Sequence, residues 1–237
     1  MQIKILYDNK RQTDSLLSGW GFSCLIENGI LFDTGENWEY LNKNSQELKV
    51  DFKDLKAVVI SHDHWDHTGG LSGLLRKVPG LPVYGLAGFG PGFQARILAA
   101  GGEFRPSQPK EQILPGIFLT GEIKGEYKTQ PIAEQALVLD TRFGLSVVTG
   151  CAHPGIIVIL KTVRQLFPSR PFYAVLGGFH LRPFARDEIE RIIQEFLDLG
   201  IKRAGPTHCS GEMAEDLFRE KYAEEFLDVG VGAVFDV

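Results

Sequence analysis

Short runs of apolar residues recur along the chain and alternate with segments whose apolar residues have helical spacing. Residues 57–60, 135–139 and 172–176 are the clearest of these runs and predict buried β-strands. Residues 156–167 and 187–199 place Ile, Leu, Val and Phe along one helical face and predict amphipathic helices. Strands that alternate with helices are typical of an α/β protein.

A tight hairpin is predicted near the N-terminus, where Asn28-Gly29 separates two apolar segments. Asn-Gly favours this turn because both central residues need a positive φ. A second predicted hairpin joins residues 135–139 to residues 145–149 in the second half of the chain. Each half therefore contains a hairpin followed by helices, and Asp33 lies at the end of a predicted strand.

Residues 79–131 differ in character, because glycine and proline are frequent there and residues 89–93 read Phe-Gly-Pro-Gly-Phe. We expect irregular structure, apart from a short helix over 94–100 and a strand over 116–120. Long irregular segments of compact domains usually bind ligands or cover a site, so we interpret 79–131 as a lid and substrate-recognition insertion. The alternative is a surface insertion without a binding role. The whole chain, residues 1–237, is predicted to form a single domain.

Composition places the chain among soluble globular proteins, with 43% hydrophobic and 23% charged residues. Its formal net charge of −5 argues against an extended nucleic-acid interface, which requires clustered positive charge. No apolar run approaches the roughly 20 residues that span a bilayer, so we expect no membrane partner. The three cysteines show no close pairing, and the chain starts with a strand-like run at 3–7 instead of a leader. We therefore predict a cytoplasmic protein.

The densest chemistry lies in residues 61–70, Ser-His-Asp-His-Trp-Asp-His-Thr-Gly-Gly, directly after a predicted buried strand. Neutral imidazole and carboxylate groups are ligands that suit zinc, iron and manganese. His62 and His64 are spaced to converge on one ion, whereas Asp66 and His67 are placed to face a second. The alternative is a solvated loop that binds no metal.

The motif at 61–70 resembles the signature of the metallo-β-lactamase-fold hydrolases, and Leu-Phe-Asp-Thr-Gly at 31–35 is similar to the upstream aspartate motif of that superfamily. Further stretches resemble one narrower branch, whose members are often labelled as synthases of a dihydropterin-aminobenzene ribofuranosyl phosphate. These stretches lie at 20–23, 120–123, 150–153, 177–181 and 207–211. The resemblance implies an α/β fold in the form of a four-layer αββα sandwich, with two mixed β-sheets flanked by helices.

The resemblance also implies ligands for two divalent metal ions, with Zn²⁺ as the first expectation and Mn²⁺ or Fe²⁺ as alternatives. The implied ligands are, for the first ion, His62, His64 and His153 and, for the second ion, Asp66, His67 and His208. Asp33 would orient the metal loop through a hydrogen bond without binding an ion. Trp20, Phe22 and His180 are expected to contact the substrate.

The chain departs from the superfamily where a bridging aspartate is usual, because the stretch here reads Thr149-Gly150-Cys151. Cys151 is thus either a thiolate ligand or a small residue packed behind the ligands. His180 follows two glycines, and its role is open between support of the site and direct contact as a ligand, substrate partner or proton donor. All six histidines fall beside predicted strand ends, which favours one shared site.

A bound divalent ion lowers the pKa of water from about 16 to about 7, which makes hydroxide available at neutral pH. The predicted activity is therefore that of a metal-dependent hydrolase or related transferase that uses a metal-bound hydroxide, with Asp66 and His180 as catalytic candidates. Asp66 is the one carboxylate among the implied ligands, so the excess positive charge favours a small anionic substrate, phosphorylated molecules included. The alternatives are an iron-dependent redox enzyme of the same fold and a non-catalytic metal-binding module.

Overall fold

A computed structural model describes residues 1–90 and 92–237 of the chain. Pro91, which belongs to the segment expected to be irregular, lies outside the described residues. The chain divides into two compact units, which consist of Met1–Ser107 with Gly230–Asp236, and of Gln108–Val229 with Val237. A single domain over the whole chain stays a prediction.

The first unit is built on a mixed β-sheet, which has seven strands among the described residues. These strands are β1 Gln2–Tyr7, β2 Ser23–Ile26, β3 Ile30–Phe32, β4 Ala57–Val59, β5 Pro82–Gly85, β6 Glu103–Pro106 and, at the end of the chain, β15 Val234–Asp236. Their order across the sheet is β15-β1-β2-β3-β4-β5-β6. Neighbours from β15 to β3 are antiparallel and those from β3 to β6 are parallel. Strands β3 and β4 therefore end at the same edge, which brings Asp33 close to the residues that follow β4.

The helices of the first unit are α1 Trp38–Glu47, α2 Trp65–Thr68, α3 Leu71–Lys77 and α4 Phe93–Ala99, with a 3₁₀ turn at Phe52–Asp54. Helices α1, α3 and α4 contribute Leu41, Leu74 and Ile97 to a buried apolar cluster that also contains strand residues. The predicted Asn28-Gly29 hairpin is confirmed, because β2 and β3 are antiparallel and Gly29 has a φ of 90°.

The second unit contains, in residues 108–229, all of which are described, a six-stranded mixed sheet and a separate two-stranded hairpin. The strands of the sheet are β7 Glu111–Leu114, β8 Ile117–Leu119, β11 Leu137–Thr141, β12 Gly144–Thr149, β13 Phe172–Gly178 and β14 Arg203–Thr207, and those of the hairpin are β9 Ile123–Tyr127 and β10 Gln130–Glu134. Their order across the sheet is β14-β13-β12-β11-β8-β7. Strands β12, β13 and β14 are parallel neighbours, so the loops that follow them lie at one edge and bring His153, His180 and His208 to it.

The helices of the second unit are α5 Ile156–Leu166, α6 Arg186–Asp198 and α7 Glu212–Tyr222, with a 3₁₀ turn at Ala223–Glu225. Helices α5 and α6 connect the successive parallel strands and bury Ile159 and Ile193 in the apolar core of this unit. Both amphipathic helices predicted from the apolar spacing are confirmed. Two mixed sheets with their helices also confirm the predicted α/β class.

Outside the predicted helix and strand, the expectation that 79–131 is irregular was wrong, because β5, β6, β7 and β9 also lie within this segment. The short helix and the strand predicted inside this segment are confirmed as α4 and β8. Two prolines of this segment stand at strand ends: Pro82 opens β5 and Pro106 closes β6. A missing N–H disturbs strand pairing least at such positions. The role of the segment as a lid stays a prediction.

Among the described residues, none of the helices has the length and the apolar character that crossing a membrane requires.

Candidate functional site

The histidine-rich motif of the first unit occupies the loop after β4 and the single-turn helix α2. His62 is fully buried in this loop. His64 precedes α2, and its carbonyl accepts a hydrogen bond from the backbone of His67 at 3.1 Å. Asp66 and His67 are buried, whereas the neighbouring Trp65 is 61% exposed. The helical turn therefore directs the carboxylate and the third imidazole inward and the indole outward.

The three imidazole rings of the motif lie against one another. The ring centroid of His62 is 4.7 Å from that of His64 and 4.2 Å from that of His67. Oδ2 of Asp66 lies 3.8 Å from Nε2 of His67. His62 and His67 are fully buried. Adjacent imidazolium charges would repel each other there, so the arrangement favours neutral rings, the form that binds a metal cation.

Asp33 joins strand β3 to this motif through a fully buried carboxylate. Its Oδ1 accepts a hydrogen bond from the backbone N of Ser61, and its Oδ2 accepts one from Ser61 Oγ, both at 2.7 Å. Oδ2 also accepts from Nδ1 of His67 at 2.7 Å. Because Nδ1 of His67 carries the hydrogen, Nε2 of this ring carries the lone pair that a metal ion needs.

Ser61 determines which ring nitrogen of His62 carries the hydrogen. Its Oγ donates to Asp33 and lies 2.9 Å from Nδ1 of His62. Since the hydroxyl has one hydrogen, which goes to Asp33, Oγ accepts from Nδ1 and leaves the lone pair of His62 on Nε2. This network favours the orienting role predicted for Asp33. Sequence reasoning missed Ser61, whose signal was its place at the start of the motif.

The Thr-Gly-Gly end of the motif holds α2 against the loop after β3. A Cβ at Gly69 would overlap the backbone of Glu36, and one at Gly70 would overlap the carbonyl of Thr34. Thr34 donates from Oγ1 to the carbonyl of His67 at 2.9 Å. The two glycines therefore permit an approach of two backbones that no larger residue allows.

Trp20 and Phe22, both expected to contact substrate, occupy different surroundings. Trp20 is partly exposed, and its backbone N donates to Oε1 of Glu36 at 2.8 Å. The ring of Phe22 is fully buried and packs edge-on against Phe32, with the centroids 6.5 Å apart. Burial argues against direct contact between Phe22 and a substrate, whereas the partial exposure of Trp20 permits it.

In the second unit, Glu134 at the end of β10 holds the loop that contains His153. Its carboxylate is fully buried. Oε1 accepts hydrogen bonds from the backbone N of Cys151 at 2.9 Å and of Ala152 at 2.7 Å, and Oε2 accepts from that of His153 at 2.8 Å. Ala152 has a φ of 60°, so these contacts stabilise a conformation that is uncommon outside glycine. Sequence reasoning missed Glu134, whose signal was a glutamate directly before an apolar run.

Cys151, His153 and His180 come together in the second unit, and one ligand atom from each lies within 4.8 Å of the others. The rings of His153 and His180 are 4.6 Å apart between centroids. Tyr127, at the end of β9, contacts both rings with centroid distances of 5.0 and 5.9 Å. A thiol and two imidazoles form a donor set that suits zinc. The Cys151 thiol therefore faces candidate ligands, and His180 stands beside one of them.

His208 follows β14 and is buried, and the thiol of Cys209 beside it donates to the carbonyl of Cys151 at 3.5 Å. Burial by itself would raise the pKa of Cys209. Hydrogen bonds with Cys151 and His180, together with the charges of His208 and His180, outweigh burial and hold that pKa well below its usual value. The same sheet edge thus carries a second thiol, that of Cys209, beside the Cys151 loop.

All six histidines follow strands, as the apolar pattern predicted: three come after β4, and one comes after each of β12, β13 and β14. Residues 23–208 match the family model described as the metallo-beta-lactamase superfamily. The chain belongs to the metallo-β-lactamase superfamily. This confirms the resemblance that residues 61–70 and 31–35 carried. Members of this superfamily bind divalent metal ions, and the donor set of Cys151, His153 and His180 in the second unit fits such a cation.

Two relatives of this metallo-β-lactamase chain are similar over nearly its full length. The 7,8-dihydropterin-6-methyl-4-(beta-D-ribofuranosyl)-aminobenzene-5'-phosphate synthase of Methanocaldococcus jannaschii is 31% identical over 260 residues, which cover 90% of this chain and 88% of the relative. The crystal structure of Tm1679, described as a metal-dependent hydrolase of the beta-lactamase superfamily, matches with a TM-score of 0.85 and 30% identity over 100% of this chain and 99% of that one.

A human protein shares the fold at much lower identity. The short form of human tRNase Z matches with a TM-score of 0.64 and 15% identity over 100% of this chain and 99% of that one. Similarity at this level shows the fold alone.

Proposed function

We propose that the chain is a metal-dependent hydrolase, or a closely related transferase, that acts on a small anionic substrate such as a phosphate ester. The observation that carries this proposal is the network of Asp33 and Ser61, which puts the lone pairs of His62 and His67 on Nε2. Superfamily membership supports it, and the similar protein Tm1679 is described as a metal-dependent hydrolase.

The proposed metal is Zn²⁺ at two positions, with Mn²⁺ or Fe²⁺ as alternatives. The proposed ligands are those that the resemblance implies, namely His62, His64 and His153 for one ion and Asp66, His67 and His208 for the other. Cys151 and His180 join the donors on the grounds of their contact with His153. Thiolate and imidazole together favour zinc over manganese.

When bound, the divalent ions supply Lewis acidity and activate water for attack. The side chains of the protein orient the ligands and transfer protons. Asp33 and Ser61 keep His62 and His67 in one tautomer, and Glu134 holds the backbone of His153 in place. We assign to Asp66 the acceptance of the proton of the attacking water, and to His180 the donation of a proton to the leaving group.

Charge supports an anionic substrate. Among the proposed ligands, Asp66 and a Cys151 thiolate supply two negative charges against the four positive charges of two divalent ions, and an anionic substrate would compensate part of the remainder. The similar synthase is named for a product that carries a 5'-phosphate, which agrees with a phosphorylated substrate class.

Metal analysis and a substrate panel together test the proposal. Protein purified anaerobically is analysed by inductively coupled plasma mass spectrometry, and phosphodiesters, phosphomonoesters, lactones, thioesters and β-lactams are then assayed at fixed zinc concentration. We expect bound zinc and the highest kcat/KM for a phosphate ester. His62→Ala and His64→Ala are expected to lose metal and activity while far-UV circular dichroism stays unchanged. A full complement of metal in either variant would overturn the ligand assignment.

The panel also separates the alternatives. Preference for neutral lactones, unchanged by added phosphate, would overturn the anionic-substrate proposal. Bound iron would favour the redox alternative, and bound zinc without any turnover would favour a non-catalytic metal-binding module.

A synthase is the second candidate, because the similarity to the Methanocaldococcus jannaschii enzyme extends over 90% of this chain. Its test is the formation of the compound for which that relative is named. A dihydropterin that carries a leaving group on its 6-methyl carbon, such as a diphosphate ester, is incubated with the protein and a ribofuranosyl aminobenzene phosphate. The amine displaces the leaving group and loses a proton, and the joined product is sought by mass spectrometry. Product formation without ester hydrolysis would favour the transferase form of the proposal.

A further inference from the structure

The β9–β10 hairpin of the second unit is fixed to the loop that carries His153. A Cβ at Gly125 in β9 would lie 2.7 Å from the backbone N of Pro154, so the strand packs directly on this loop. On β10, Glu134 accepts hydrogen bonds from the loop backbone, including His153 N at 2.8 Å. Contacts from both strands give the hairpin a defined position beside the histidines.

The tip of the hairpin places an aromatic ring next to His153 and His180, and a cation against that ring. The ring of Tyr127 meets the rings of His153 and His180 edge-on, with interplanar angles of 63° and 80°. Nζ of Lys128 lies 5.0 Å from the centroid of the Tyr127 ring. Tyr127 is partly buried, whereas Lys128 is exposed. One aromatic ring thus separates an accessible ammonium group from two imidazoles.

The backbone of the tip is strained. Lys128 and Thr129 have φ values of 49° and 64°, which puts both central residues of the turn in the left-handed region. Two-residue turns of this type favour Asn-Gly, because those residues adopt positive φ at little cost. Lysine and threonine cost more in this conformation, and such strain is typical of segments kept for a function.

We propose that Tyr127 and Lys128 bind the phosphate group of the substrate beside His153 and His180. The Lys128 ammonium supplies the positive charge, and the Tyr127 ring positions it and keeps one face of the imidazoles shielded from water. A lysine binds phosphate as a mobile point charge, which suits a group approached from solvent. This inference rests on the proposed function for its substrate class. Within the predicted recognition segment 79–131, it assigns substrate binding to the tip of the hairpin.

Binding of inorganic phosphate to the zinc-loaded protein, measured by isothermal titration calorimetry, tests this inference. Lys128→Asn removes the charge and puts a residue in the turn that tolerates positive φ, so the hairpin is expected to persist. We expect phosphate affinity to fall about 10-fold, as for loss of one charged hydrogen-bond donor. Tyr127→Leu is expected to lower it about 5-fold, because the ring that positions the ammonium is lost.

Lys124→Asn is the matched control, because Lys124 is exposed on the outer face of the same hairpin. We expect phosphate affinity within about twofold of the wild type in this control, and unchanged zinc content in all three variants. Equal phosphate affinity in Lys128→Asn and in the wild type, or an equal loss in Lys124→Asn, would overturn the assignment. A wild type that does not bind phosphate would overturn it as well.

The KM for a phosphate ester separates this inference from the proposed function. If the wild type binds phosphate but hydrolyses no ester, and Lys128→Asn loses phosphate binding, the binding site is supported and the hydrolase proposal is contradicted. Ester hydrolysis with the same KM and phosphate affinity in wild type and Lys128→Asn would support the hydrolase and overturn the binding site.

Discussion

One buried carboxylate, Asp33, determines the orientation of two imidazoles in the metal motif. It bonds directly to Nδ1 of His67 and, through Ser61 Oγ, controls Nδ1 of His62. Both nitrogens that remain for a cation are then Nε2. A residue outside the motif in sequence thus decides how the motif binds metal.

Asp33→Asn is expected to weaken metal binding about 10- to 100-fold while the fold persists, because an amide replaces one of its acceptor oxygens by a donor. The measurement is competition for zinc with a chromogenic chelator, with circular dichroism as the check on folding. Asp63→Asn is the control, and we expect it to keep the zinc affinity of the wild type. The carboxylate of Asp63 accepts a hydrogen bond from the backbone N of Gly90 at 2.7 Å and not from a histidine ring. Wild-type affinity in Asp33→Asn would show that the orienting role is wrong.

At the scale of elements, the β9–β10 hairpin stabilises the loop after β12. Three backbone N–H groups of that loop donate to Glu134, which is fully buried. A buried carboxylate is costly unless such donors surround it. The hairpin and the loop therefore depend on each other for stability.

Glu134→Gln is expected to lower the free energy of unfolding by about 3 kcal/mol. Hydrogen bonds to a charged group are worth about 1.5–3 kcal/mol each, and the NH₂ group of glutamine would face a backbone N–H that also donates. Urea denaturation measures this change. Glu126→Gln, on the exposed face of β9, is expected to stay within about 0.5 kcal/mol of the wild type. Equal effects of the two changes would contradict the role given to Glu134.

The close contact between α2 and the loop after β3 is tested by Gly69→Ala. The new Cβ would overlap the Glu36 backbone, so we expect a loss of about 1–3 kcal/mol in the free energy of unfolding, together with weaker metal binding. The control is Gly92→Ala, where a Cβ meets no atom within 4 Å. That change is expected to leave stability unchanged or to raise it by up to about 1 kcal/mol. Chemical denaturation of both variants decides, and a neutral Gly69→Ala would contradict the contact.

At the scale of the whole molecule, buried thiol and phenol groups determine how the free energy of unfolding changes at alkaline pH. Burial is the main cause that raises the pKa of Tyr7, Cys24 and Tyr222, with further contributions from Glu36 on Tyr7 and Asp33 on Cys24. A group whose folded pKa is raised stabilises the fold fully below its unfolded pKa, and this stability is lost as the pH rises above it.

We therefore expect the free energy of unfolding to fall from about pH 9 upward, first with the unfolded thiol and then with the unfolded phenols. Tyr222→Phe is expected to reduce the slope above about pH 10, because the variant has no hydroxyl to ionise in the unfolded chain. Urea denaturation at several pH values provides the measurement, and a flat profile would be incompatible with these pKa shifts.

The sequence by itself determined the class of fold, the superfamily and the position of every histidine at a strand exit. These features are local: apolar periodicity marks each strand, and the residues at 61–70 lie within one short segment. The irregular structure expected over 79–131 was wrong, because short strands such as β5 and β6 are stabilised by pairing with distant segments more than by their own composition.

The tertiary structure alone decided the contacts that orient these groups. Ser61 joins Asp33 to His62, Glu134 holds Cys151 to His153, and Tyr127 reaches His180. Each partner lies on a different strand or loop from the group it orients, except for the neighbours Ser61 and His62. No local pattern of polarity encodes such a pairing, because it depends on strand order and register, which form only when the sheet and hairpin assemble.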